Sequence, residues 1–129
     1  MKDLERYGKP LLRIALSLVF LYFGFQQITS PDAWVGFVPG FLVTFGIAAK
    51  TIIFMNALLE LSLGTLMLLG LFTRFSALIL ALHLFGIAAS LGFNDLGARD
   101  FGLACATLAV FLFGSDFLCL DQKFKKENS

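Results

Sequence analysis

Long apolar runs, each interrupted at helical intervals by a few polar side chains, organise this chain. A membrane-crossing helix needs about 20 mostly apolar residues. Four runs meet that need: residues 11–28, 51–71, 75–93 and 98–118. Pro10 stands at the start of the first, where a missing N–H is harmless, and Thr29-Ser30-Pro31 ends it. Only Phe72-Thr73-Arg74 joins the second run to the third, and Asn94-Asp95-Leu96-Gly97 the third to the fourth, so both joints predict tight antiparallel hairpins. The expected fold class is an all-α, antiparallel four-helix transmembrane bundle, read as a single membrane domain over residues 1–129. The first run is longer than the about 7–15 apolar residues of a signal peptide and no A-x-A-like site follows it, so it is expected to stay in the protein.

The stretch 29–50 breaks this rhythm. It is apolar and aromatic, yet interrupted by Pro31, Gly36, Pro39, Gly40 and Gly46. A spanning helix does not tolerate such a density of breakers, and a water-bathed loop does not carry so many Phe. An interfacial or re-entrant outer loop is expected, with Trp34 at headgroup level and the whole forming a lid over the bundle.

Polar side chains inside a span are costly and therefore face the bundle interior or a wet cavity. Arg13, Ser17, Gly24 and Gln27 recur at helical steps in the first span, with Gln26 beside them. The second span carries Asn56, Glu60 and Gly64 on one face, and the third carries Ser76, His83 and Ser90. The fourth carries Arg99, Gly102 and Ala106, with Asp100 alongside. At about 1.5 Å of rise per residue, Glu60 and His83 lie near the midplane of the bilayer. Gln27, Asn56, Arg99 and Asp100 lie nearer the outer surface, below the Trp34 loop. The pattern predicts an outward-facing polar pocket with Glu60 at its floor.

Composition agrees. Of 129 residues, 58% are hydrophobic and 15% charged, with sixteen Phe and a mean hydropathy of +0.85. A soluble domain this small cannot hide that much apolar surface. A net charge of +1 gives no basic face for nucleic acid. Cys105 and Cys119 belong to no CxxC or metal-ligand spacing; on one helix they would stand about 21 Å apart, beyond disulfide reach, and both are expected to be buried thiols. Lys2, Arg6, Lys9, Arg74, Lys123, Lys125 and Lys126 fall on one side of the spans, Lys50 and Arg99 on the other. The positive-inside rule then puts both termini in the cytoplasm of a multi-pass plasma (inner) membrane protein.

Two readings stay open for each polar residue. Glu60 is either structural glue paired with Arg99 or Arg13, or a proton-carrying group. His83 is either a satisfied core histidine or a helper of Glu60; no second histidine or HxxE spacing makes it a metal ligand. Arg13 either pairs inward or reaches lipid phosphates along its stem. Asn56 and Gln27 can serve as interhelical hydrogen-bond glue or touch a ligand. Asp116 reads as a span end.

Several segments together resemble the DoxX/DoxD-like family of small four-helix membrane proteins. They are Arg13 followed by Phe20-Leu-Tyr-Phe-Gly-Phe-Gln-Gln, then Pro31-Asp-Ala-Trp34-Val-Gly-Phe-Val-Pro39, then Glu60-Leu-Ser-Leu-Gly64 running to Gly70-Leu-Phe-Thr-Arg74, and finally Asn94-Asp95 with Arg99-Asp100-Phe-Gly102. The resemblance covers essentially the whole chain. Its matching positions are Arg13, Gln27, Trp34, Glu60, Arg74, Arg99 and Asp100. The family takes its name from subunits of an archaeal membrane complex that oxidises thiosulfate and passes electrons to quinone. It therefore implies membrane location and fold strongly, and redox activity weakly. The chain has no haem, flavin or metal motif, so electron transfer would need a bound quinone or a redox partner subunit.

The resulting expectation is a redox-associated membrane protein binding a quinone-like ligand. Glu60 and His83 are the candidate catalytic residues, Gln27, Trp34, Asn56, Arg99 and Asp100 the candidate ligand contacts, and Arg13 and Arg74 structural. A non-catalytic scaffold subunit and a small proton or solute transporter working as a homodimer are the alternatives.

Overall fold

Each apolar run folds as a helix, and short breakers set the turns between them. The computed structural model describes residues 2–127, and side chains from Leu4 to Lys123; those of Lys2, Lys125 and Lys126, counted above for orientation, lie outside the described ones. The elements are α1 (Lys2–Thr29), a 3-10 segment (Pro31–Phe37), α2 (Gly40–Thr44), α3 (Ala49–Leu69), α4 (Thr73–Leu91), α5 (Asp95–Phe113) and α6 (Leu120–Glu127). No strand occurs among the described residues. α1, α3, α4 and α5 are each long and apolar enough to cross a membrane. Their outward faces carry Leu18, Phe25, Phe54, Leu58, Phe75, Leu82, Phe101 and Leu112, all exposed. Water would not tolerate an apolar surface so continuous; a bilayer does.

The helices pack in two tight pairs, α1 with α3 and α4 with α5, while α3 and α4 meet less extensively. Small residues permit the first pairing: a Cβ on Gly24 would come within 2.7 Å of Leu61 Cγ, and one on Gly64 within 3.3 Å of Phe20 Cβ. Leu16, Phe20, Leu63, Met67, Leu80, Leu84 and Val110 form the core.

Helix ends depart from expectation: α3 and α4 each lie two residues earlier than the expected spans, α5 begins at Asp95, inside the expected turn, and the two largest departures are the start of α1 and the end of α5. α1 begins at Lys2, so Pro10 lies inside it. The charged turns before Pro10 prolong the helix past the apolar run, and the proline removes only one backbone donor. α5 stops at Phe113, because Gly114 takes a positive φ (78°), open to glycine and rare for other residues, that ends the helix five residues before the expected span end. Cys119 therefore lies outside α5 and the one-helix separation of the two cysteines does not hold. Cys119 is buried, whereas Cys105 is exposed on the lipid side of α5 and so is not the buried thiol expected. Burial pushes the Cys119 thiol above its ordinary pKa.

At the end of the bundle that holds the termini, a polar clasp ties the elements together. Arg13, only 1% exposed, donates from Nε to Asp116 Oδ2 (2.8 Å) and from Nη1 to the Met67 and Leu68 carbonyls (2.9 and 2.7 Å). Those carbonyls close α3, whose C-terminus favours a cation. Arg13 thus neither reaches outward to lipid nor pairs with Glu60. Asp121 caps α4, accepting from the backbone of Phe72 and Thr73 (2.9 Å each) and from the Thr73 hydroxyl (3.0 Å). The turn between α3 and α4 is Gly70, at φ 76°, and its backbone lies against Cys119.

Alanine at Gly70 is expected to loosen this clasp. A left-handed L-residue costs about 1–2 kcal/mol, and the added Cβ would sit 2.5 Å from Cys119 Cα, overpacking of a kind that costs about 1–3 kcal/mol more. Thermal unfolding in detergent should show the drop; unchanged stability would mean that the turn is relaxed.

Candidate functional site

Opposite the clasp, the two helix pairs diverge around a cavity of about 760 Å³. Glu60 enters it from the middle of α3 and is 4% exposed. One turn earlier on the same face, Asn56 donates through Nδ2 to Glu60 Oε1 (3.2 Å) and to Gln27 Oε1 (2.6 Å). Gln27, from the last turn of α1, donates through Nε2 to Glu60 Oε2 (3.2 Å). The three side chains close a triangle of hydrogen bonds between α1 and α3. It satisfies the carboxylate without a cation, as a polar group in a low-dielectric interior requires.

His83 approaches from the middle of α4. Its Nε2 stands 3.8 Å from Glu60 Oε1, too far for a hydrogen bond, and this buried atom has no other partner. The cavity floor thus holds one unmet polar valence beside a carboxylate.

The upper wall is aromatic and cationic. Trp34, from the 3-10 segment, meets Phe23 edge-on (5.8 Å between centroids) and lies tilted against Phe37 (5.9 Å). It lines the cavity as part of the lid. Arg99 lies over the Phe23 ring at 5.4 Å and pairs with its neighbour Asp100, Nη2 to Oδ1 at 3.1 Å. A Glu60–Arg99 ion pair is absent among the described residues, because Arg99 is held by Asp100 at the cavity's upper rim. On α5 the buried face is Gly97, Asp100, Ala104, Thr107 and Val110. The expected stripe of Arg99, Gly102 and Ala106 is rotated outward by one residue, which brings Asp100 into the bundle.

The geometry brings Gln27, Trp34, Asn56, Glu60, His83, Arg99 and Asp100 around one cavity. Arg13 and Arg74 lie away from it; Arg74 packs its guanidinium against Gly114. Sequence reasoning missed the clasp partners. Asp116 carried a signal, since it stands at the same end of the bundle as Arg13, but neither Asp121 nor Thr73 did: their role arises from a turn that brings α6 against the start of α4.

A profile of the DoxX family matches residues 8–92, from within α1 through the end of α4. The chain belongs to the DoxX family. The match includes Gln27, Trp34, Asn56, Glu60 and His83, and leaves out Arg99, Asp100 and the Asp116 half of the clasp. No curated protein and no solved structure matches the chain. As a DoxX member with four apolar helices, it is a multi-pass membrane protein in contact with the lipid bilayer.

Proposed function

We propose that this DoxX protein binds a quinone-like ligand in the cavity and supports its redox chemistry. The observation that carries the reading is a cavity, mostly apolar and reaching the middle of α3 and α4, whose polar floor holds a carboxylate and an unpartnered imidazole nitrogen. Its volume suits an aromatic head group, and Phe20, Phe23 and Trp34 offer ring faces and edges to it. A quinone supplies a carrier that takes up electrons and protons in equal number.

The chain's own residues divide the work. Glu60 takes up and passes on a proton, held in place by Asn56 and Gln27. His83 Nε2, free of other bonds, offers a hydrogen bond to a ligand oxygen. Arg99, fixed by Asp100, faces a carbonyl or anionic oxygen at the rim. Electrons come from a redox partner subunit. The cavity beside Glu60 favours this reading over a scaffold subunit, which needs a dry and fully paired interior.

Trp34 is the chain's single tryptophan and lines the cavity, so its fluorescence reports occupancy. A water-soluble short-chain quinone added to the protein in nanodiscs should quench it saturably, and Arg99→Ala should weaken that quenching. Linear, unsaturable quenching identical in both proteins would defeat the reading.

We also place the protein in the plasma (inner) membrane with both termini cytoplasmic, on the Lys and Arg distribution. In a Cys105→Ser background, with Cys119 buried and unreactive, Ala33→Cys should react with an impermeant maleimide on intact cells. Lys123→Cys should react only after permeabilisation. The reverse pattern would invert the topology.

A further inference from the structure

We infer that the cavity opens sideways into the bilayer between α3 and α4, and that it takes an amphiphile whose polar head meets Glu60 while its apolar tail lies in that opening. The tail assignment rests on the ligand-binding reading above; the opening does not.

The opening follows from depth and exposure. Leu82 is the tenth residue of the nineteen in α4. At about 1.5 Å per residue it stands near the middle of a ~30 Å hydrocarbon layer. It lines the cavity, yet is 58% exposed. One and two turns further along the same face, Gly86 and Ala89 also line the cavity and are exposed. Side chains that face the cavity and the surroundings together at this depth mark an opening to hydrocarbon and not to water.

The helix packing produces it. α3 and α4 are joined by the Gly70 turn at the clasp end and meet only sparsely, each leaning on its own partner. Gly86 widens the gap: a Cβ built there meets nothing within 4 Å. From α3, Ile52 lines the same cavity and is half-buried. Above it, Trp34 and Phe41 of the lid roof the cavity with apolar surface. The lid roofs the cavity without sealing it, since the Arg99 side chain at the rim is 46% exposed; a small head group keeps that route, whereas a long apolar tail has only the open side. The apolar gap leading to a polar floor calls for a molecule with those same two parts.

The gap is tested without any ligand. In nanodiscs of phosphatidylcholine brominated midway along its acyl chains, a tryptophan is quenched only where a chain touches it. In a Trp34→Phe background, F20W places a larger ring against the cavity near mid-depth; Phe20 is 3% exposed in all, so a chain meets the indole only where its extra bulk enters the cavity, and F23W, a half-buried cavity position, carries the same readout if F20W does not fold. Strong quenching is expected, with loss of it in G86F, which adds a ring where a Cβ meets nothing within 4 Å, and retention in G86A. Absence of quenching, or quenching that survives G86F, overturns the lateral opening. The tail is tested on Trp34 in the otherwise native chain. G86F should abolish saturable quenching by a long-chain isoprenoid quinone while a tail-less analogue still binds; equal loss or equal retention of both overturns the tail assignment. Should neither quinone quench Trp34 in the native chain while the brominated chains reach F20W, the quinone reading falls and the opening stands.

Discussion

Arg13→Ala is expected to be the most damaging single change in this protein, costing about 3–5 kcal/mol of stability, the range for removing one member of a buried ion pair. The guanidinium is almost wholly buried and serves three tasks: it neutralises Asp116, satisfies two carbonyls at the end of α3, and pins the 114–119 segment against α1. Its removal leaves a carboxylate buried without a cation and two helix-end carbonyls without a donor. Arg13→Lys should recover part of the loss, because a single ammonium cannot reproduce the forked geometry. Pairing R13M with D116L should recover more, since an apolar pair of similar bulk leaves no orphaned charge. Denaturation in detergent, followed by circular dichroism, distinguishes these cases. If Arg13→Ala unfolds at the native midpoint, the clasp does not hold the bundle together.

Glu60→Gln should have the largest effect on the site. The substitution keeps the side chain's size but changes what its two terminal atoms offer. Both Glu60 oxygens accept hydrogen bonds, one from Gln27 and one from Asn56. A glutamine retains one acceptor and turns an NH₂ group towards a donor, leaving a buried polar group unsatisfied at about 1–3 kcal/mol. Saturable quenching of Trp34 by a short-chain quinone should disappear, because the proton-accepting group and the ordered floor go together. Native-like binding in Glu60→Gln would show that the carboxylate has no part in recognition and would return Glu60 to a purely structural role.

How much of this was legible from residues alone depends on which force places each one. Hydrophobic run length placed the four spanning helices, since lipid leaves little other choice of secondary structure. Helical periodicity placed Gln27 and Arg13 on the buried face of α1, and Asn56 with Glu60 on one face of α3. It failed on α5, where Arg99 and Asp100 are adjacent and a rotation of one residue decides which enters the bundle; only packing against α4 resolves that. Pairing partners were beyond periodicity altogether. Arg13 and Glu60 invite each other by charge, but they stand at different depths on their helices, and each found a nearer solution: Arg13 in a segment past the last span, Glu60 in two amides. The end of α5 was overestimated because Phe117-Leu118 prolong the apolar run past Ser115-Asp116, whereas Gly114, at positive φ, had already turned the chain.

The concentration of Arg13, Gly70, Asp116, Cys119 and Asp121 at one pole carries a mechanical consequence. Joints gathered at a single pole make the molecule resemble a pair of tweezers held at the base, with its jaws α1–α3 and α4–α5. Spreading the jaws to admit a bulkier guest strains none of those joints, so capacity at the open pole and integrity at the base are separately adjustable.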